Sequence, residues 1–429
     1  MERYSEYKDS GVQWIGEVPS HWEVKRLANY FIERKIKVSD KEYAPLSVTK
    51  NGVYTQLDNV AKTNDGDNRK LVLSGDFVIN SRSDRKGSSG VAKQDGSVSL
   101  INIVLRPRKN IYPDFCNYLL KCYSFIEEYY RNGRGIVADL WTTRYDEMKT
   151  IKIPVPSLNE QKAIVTYLNK VTLNVDRAIA QQQKIIELLN ERKQIIINKA
   201  VTKGLNPDVP MKDSRVEWIG EIPAHWDVMK TLFTLSMPIT DGPHETPLLY
   251  EDGIPFVSAE AVSMGNGRIN FNHIRGYISK AFYDECCKKY IPQKYDIYMI
   301  KSGATTGKVA IVETDVKFTI WSPLAVFRCN QHIMNPNYLF FVLQSKFYQL
   351  QVQLGWSYGT QQNIGMRTLE KLKVTVPPVC EQIIIANKIK EKLVPINNAI
   401  KVANEQIVFL QERKQIIIND VVTGKVKVS

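Results

Sequence analysis

"ERKQIIIN" occupies residues 191–198 and returns, letter for letter, at residues 412–419. It is the tail of a longer repeat. "DSGVQWIGEVPSHWEV" (9–24) is answered by "DSRVEWIGEIPAHWDV" (213–228), which places Trp14 on Trp218 and Trp22 on Trp226 with a shift of 204. "IPVPSLNEQ" (153–161) is answered by "VTVPPVCEQ" (374–382), which places Glu160 on Glu381 with a shift of 221. Fainter echoes lie between: "GDFVIN" (75–80) with "YDIYMI" (295–300), and "YPDFCNYLL" (112–120) with "NPNYLFFVL" (335–343). The chain is one unit written twice, and the second copy carries about 17 additional residues in its globular part.

Each copy has a globular part followed by a helix. Short β-like runs such as "LVLSGDFVIN", "SLINIVLRP", "YDIYMI" and "LAVFRC", separated by turn residues, predict mixed α/β domains over 1–157 and 204–378, the latter including the linker. The helices are expected over 158–203 and 379–429. In the second, Ile389, Leu393, Ile396, Ile400, Ala403, Ile407, Leu410, Lys414 and Ile417 step by four and three, which is coiled-coil seam spacing. The matching series in the first is Leu168, Thr172, Val175, Ile179, Gln182, Ile186, Leu189, Lys193 and Ile196. Pro395 predicts a kink or a split in the second helix.

A helix over about 160–200 is on the order of 60 Å long. The segment "VTKGLNPDVPMK" (201–212) reaches only about 40 Å when fully extended. The second domain must therefore follow the far end of the first helix, and the second helix must run back antiparallel to it. The expected architecture has a pseudo-two-fold axis, with unlike domains held apart by paired helices. Two-fold symmetry of this kind matches the symmetry of a duplex backbone, the helices acting as a ruler between half-sites.

A net charge of +13 and a pI near 9.2 favour a polyanionic partner. The six cysteines form no C-x-x-C pair, the N-terminus "MERYSEYKDS" has no apolar signal core, and mean hydropathy is −0.27, so a soluble cytoplasmic protein is expected.

The segments "YKDSGVQWIGEVPSHWEV", "NEQKAIVTYL", "ERKQIIINKAVTKGLNPDVPMKDSRVEWIGEIPAHW" and "ERKQIIINDVVTGKVKV" resemble the specificity subunit of type I restriction-modification enzymes. The resemblance covers essentially the whole chain. It implies target-recognition domain 1 (1–157), spacer helix 1 (158–203), target-recognition domain 2 with its linker (204–378) and spacer helix 2 (379–429). It also implies a subunit without catalytic activity that binds an asymmetric bipartite site in double-stranded DNA and holds two adenine methyltransferase subunits and the restriction subunits. S-adenosylmethionine would then sit on the methyltransferase, ATP and Mg²⁺ on the restriction subunits, and no cofactor or metal on this chain. The target sequence and spacer length are not legible. A stand-alone DNA-binding scaffold with two reading heads is the alternative.

Three fragments offer enzymatic readings, each with a plainer one. "NPNY" (335–338) looks like the adenine-holding loop of an amino-methyltransferase, but its counterpart "YPDF" lacks the asparagine and tyrosine, and a proline opening a helix accounts for both. "SGATTGKV" (302–309) is one residue short of a phosphate loop and has valine at the Mg²⁺-binding position. His21 and His225 have no cysteine at metal-ligand spacing and are expected to be structural.

Candidate DNA contacts lie in polar loops. In the first domain they are Lys50, Arg82, Arg85, Lys86, Arg134, Thr142 and Arg144. In the second they are Lys301, Ser302, Thr305, Thr306, Lys308, Ser357, Tyr358, Thr360, Gln361, Gln362 and Asn363. The isoleucine triplets Ile195, Ile196, Ile197 and Ile416, Ile417, Ile418 exceed the needs of a two-helix seam, and are candidates for packing on a domain or a partner. A duplicated surface of this kind predicts a duplicated partner.

Overall fold

The computed structural model describes residues 2–56, 66–135, 141–358 and 362–428. The chain divides into two compact units, Met1–Gln183 with Asn404–Ser429 (unit 1) and Lys184–Ala403 (unit 2). Two long helices, Leu158–Lys203 and Val379–Val422, each contribute one part to each unit.

In unit 1 a four-stranded antiparallel sheet has the order Ser89–Val91, Phe77–Asn80, Asn102–Pro107, Phe31–Glu33. Its central strands are apolar on both faces because both faces are covered. Phe77, Ile79, Ile103 and Leu105 join the core built with the helix Pro113–Leu119, whereas Val78 and Val104 enter a second core with Leu46, Val53 and Val98. Unit 2 repeats this strand order with Val309–Ile311, Ile297–Ile300, Leu324–Phe327 and Thr240–Asp241. The side chains alternate likewise: Ile297, Met299, Ala325 and Phe327 face one core, and Tyr298, Ile300, Leu324 and Val326 the other. The copies diverge at the flank. Unit 1 carries the hairpin Leu46–Thr49/Gly52–Thr55, and unit 2 carries the helices Ala259–Ser263 and Lys280–Lys289.

The dipeptide Glu-Gln at each helix start fastens helix to domain. Gln161 is fully buried; its Oε1 accepts from Tyr112 N at 2.7 Å, and its Nε2 donates to Asn110 O and Pro156 O. Gln382 makes the same three bonds with Asn335 N, Ile333 O and Pro377 O. Glu160 receives Trp22 Nε1 (3.0 Å), His21 Nε2 (3.1 Å) and Tyr4 Oη (2.7 Å). Glu381 pairs with His225 Nε2 at 2.8 Å. Both histidines are therefore structural, fixing the "HW" segment to the helix.

The helix pairing is antiparallel within each unit. In unit 1 the beginning of the first helix lies against the end of the second: Ile164 and Leu168 share a core with Ile417, Val421 and Val422, and Lys414 Nζ donates to Asp176 at 2.7 Å. In unit 2 the end of the first helix meets the start of the second, with Ile197, Ala200 and Val201 in one core with Ile385, Ile389 and Leu393. Every member of both predicted seam series is buried or half-buried, including Lys193, whose ammonium pKa is lowered by burial. The expected split at Pro395 does not occur, since the second helix continues through it. Pro395 and Glu391, whose carbonyl it leaves without a helical partner, both face solvent, while Leu393 and Ile396 beside it are anchored in the core.

"ERKQIIIN" belongs to the contact each helix end makes with a domain. Asn198 Oδ1 accepts from Phe347 N and Asn419 Oδ1 from Ser124 N, so both copies cap a short domain helix. Ile197, Ile417 and Ile418 are buried in these domain cores and Ile196 is half-buried, while Ile195 and Ile416 are each 59% exposed.

Candidate nucleic-acid interface

In unit 1 two candidate loops are joined edge to edge. Asn80 Oδ1 accepts from Arg82 N, Arg82 bridges to Thr142, and Thr142 exchanges both backbone hydrogen bonds with Arg134 at 2.8 and 2.9 Å. Thr143 N donates to Ser81 O and Ser83 N to Trp141 O, completing the edge. Arg82 is exposed and has no ion pair among the described residues. Arg134 points toward Glu147 at 3.4 Å and is highly exposed, so that pair is weak. Arg144 N donates to Glu147 Oε2 at the start of a short helix. Arg85 lies beside Asp84 at 3.5 Å. Lys86 is paired with Glu127 at 2.8 Å and lies 4.5 Å from the Tyr130 ring centre. Lys50 stands on the hairpin turn, where its carbonyl accepts from Lys121 Nζ, which also donates to Ser89 O. Burial lowers the Lys121 ammonium pKa.

Unit 2 builds the same edge from other residues. Ile364 N donates to Lys301 O, as Thr143 N does to Ser81 O in unit 1, and Ser302 bridges Asn363. Gly303 N donates to Gln362 O, and Ser357 pairs with Asn363 in a two-stranded turn. Thr306 Oγ1 donates to Gly303 O at 2.6 Å, while Thr305 O accepts from Lys308 N. Gln362, Asn363 and Lys308 are exposed. Thr360, Gln361 and the side chain of Tyr358 lie outside the described residues.

Lys301 is largely buried, its Nζ 3.3 Å from Asp241. Asp241, 1% exposed, also takes Lys289 at 2.5 Å and His244 at 3.2 Å. Burial opposes ionisation of Asp241, but Lys289 and then Lys301 outweigh it and hold the carboxyl below its ordinary range. Two lysines thus share one buried carboxylate beneath this edge. Sequence reasoning missed Asp241 and Lys289 because nothing local links positions 241, 289 and 301; the fold brings them together.

The two edges thus share a backbone and differ in chemistry, arginine-rich in unit 1 and amide- and hydroxyl-rich in unit 2. The family described as the type I restriction modification DNA specificity domain matches residues 19–190 and 246–405. The chain belongs to this family. It is similar to the putative type I restriction enzyme MjaX specificity subunit of Methanocaldococcus jannaschii, at 26% identity over 448 residues covering 96% of each chain. A second relative from that organism, the type I restriction enzyme MjaVIII specificity subunit, is 23% identical and covers 96% of this chain and 94% of its own. A solved chain from work on complex assembly and conformational transition of the type I R-M system shares the fold at a TM-score of 0.66 and 16% identity, covering 95% of this chain and 99% of its own.

As a specificity subunit the chain is a DNA-recognition component without catalytic activity of its own. "NPNY" agrees with this. Asn335 Oδ1 accepts from Asn337 N and Tyr338 N at a helix start, and Tyr338 is fully buried with its Oη beside Thr375 Oγ1. That fragment caps a helix, and its tyrosine is packed inside the domain core. Among the described residues, no cluster of three or more potential ligands gathers for a metal and no helix is long and apolar enough to cross a membrane.

Proposed function

We propose that each unit binds one half of an asymmetric, two-part site in duplex DNA through its loop edge, and that the chain carries two copies of an adenine methyltransferase, to which restriction subunits add. Exposed basic groups such as Arg82 and Lys308 would meet phosphates. Thr142, Ser302, Gln362 and Asn363 would meet base edges, with different bases read by the two units because the residues differ. S-adenosylmethionine would belong to the methyltransferase and ATP and Mg²⁺ to the restriction subunits, all in the cytoplasm.

The observation that carries the duplicated partner is a repeated apolar surface. In unit 1 Leu173, Phe409 and Ile416 are exposed; in unit 2 their repeat equivalents Val394, Leu188 and Ile195 are exposed as well. Isolated exposed apolar residues are ordinary, but the same three positions left uncovered in both copies fit one partner surface used twice. Weighing the complex with its cognate methyltransferase tests this. Two methyltransferases per chain are expected, falling to one in Ile195→Arg or Ile416→Arg. A stable one-to-one species with no two-to-one form in the unsubstituted protein would contradict the proposal.

A further inference from the structure

Arg275 of unit 2 lies outside every loop considered above, yet it adjoins the same edge. Its guanidinium carbon is 4.4 Å from the ring centre of Trp321. Both partners are fixed from behind. Tyr277, two residues on, exchanges backbone hydrogen bonds with Tyr250 at 2.8 and 3.1 Å, and Gly276 O accepts from Phe256 N. Gly276 has φ +154°, and a side chain there would meet Leu249 at 3.3 Å, so the chain follows this path because a glycine is present. Trp321 N donates to Val257 O at 2.9 Å, and its ring packs on Phe256.

Trp321 opens a turn that leads directly to the loop edge. Pro323 O accepts from Lys301 N at 2.8 Å, and Ser322 N donates to Pro243 O at 3.2 Å. Arg275 is exposed and has no ion pair among the described residues, unlike Lys86 and Lys301. A guanidinium lying over an indole face loses freedom while its N–H donors remain available at the rim. A phosphate can also accept such a fork, but it offers the same oxygens at every nucleotide and so carries no sequence information. A fork held in one orientation suits a partner with two acceptors in fixed geometry, and in the major groove that partner is guanine, through O6 and N7.

We infer that Arg275, positioned by Trp321, is a specificity-determining residue that contacts a guanine edge in the half-site bound by unit 2. The inference rests on the DNA-binding proposal above. The test uses the complete complex with its methyltransferase subunits, on duplexes carrying its mapped site and on duplexes with each base pair replaced in turn. Arg275→Ala is expected to weaken binding to the intact site about 10- to 100-fold and to abolish discrimination at a single G·C pair in one half. Discrimination in the other half persists, showing that the variant is folded, and Arg275→Lys does not restore what is lost. Trp321→Leu shifts the same position to a lesser degree. Unchanged discrimination at every pair overturns the inference, whether affinity is unaltered or falls evenly with a salt slope smaller by about one, the mark of a phosphate contact. If the unsubstituted complex discriminates at no pair, the DNA-binding proposal itself fails and takes this inference with it.

Discussion

In unit 1 the indole of Trp22 donates to Glu160, which also receives Tyr4 and His21. In unit 2 Trp226 holds the same place, but its N–H finds no acceptor among the described residues, and Glu381 pairs with the histidine. The units share a frame to the level of single backbone bonds, as with the two buried glutamines, while differing in how completely that frame is satisfied and more widely at the loop edge. Positions that hold helix to domain accept one solution and are written twice. Edge residues such as Arg82, Lys308, Gln362 and Asn363 project to solvent and carry little packing constraint, so the two copies are free to diverge there where a split target would require it.

The largest expected effect tests the shared part of this comparison. Trp22→Ala and Trp226→Ala each remove a fully buried indole and should cost about 3–5 kcal/mol in urea denaturation. Phenylalanine at the same positions separates the copies. Trp22→Phe, which strands part of Glu160, should lose about 1 kcal/mol more than Trp226→Phe. Equal losses would mean that the unpaired indole has a partner in solution.

The glycines that end the two helices come next. Gly204 and Gly424 have φ +70° and +79°, and a side chain at Gly424 would press on Pro19 and Trp22 where one at Gly204 meets Trp226 at 3.2 Å. Alanine at either should destabilise by about 1–2 kcal/mol, with the larger loss at Gly424. A gain in thermal stability from either substitution would contradict the helix-end geometry.

The smallest effect repairs an inequality. Lys414 pairs with Asp176 in unit 1; the repeat equivalents in unit 2 are Lys193 and Asn397, and Asn397 Oδ1 is buried without a partner among the described residues. Asn397→Asp should install the missing ion pair and raise stability by about 0.5 kcal/mol, an increment that shrinks in high salt. Destabilisation would show that the seams are not equivalent.

The sequence displayed the frame well because duplication left two copies to compare. The heptad positions, the antiparallel return and the paired central strands were legible as periodicity, chain length and internal identity. Of the kink or split that Pro395 suggests, the split does not occur, since the helix continues where Glu391 and Pro395 are exposed and the flanking leucine and isoleucine are buried. The triplets "III" were legible as excess apolar surface but not as a division of labour, in which the first isoleucine stays outside and the others enter, or half enter, a domain. Asp241 with Lys289, and Arg275 with Trp321, were invisible because each pairing joins residues more than 40 positions apart across a folded sheet.

The central claim is that one repeated frame carries two unlike edges, each reading half of a split target. Mapping methylated adenines across a genome that carries this chain and its methyltransferase tests it most directly. The account predicts one motif in two unlike parts separated by a fixed run of unspecified bases, with exchange of the loops in 301–308 and 357–363 altering one part only. A continuous or palindromic motif, or an exchange that alters both parts, would contradict it.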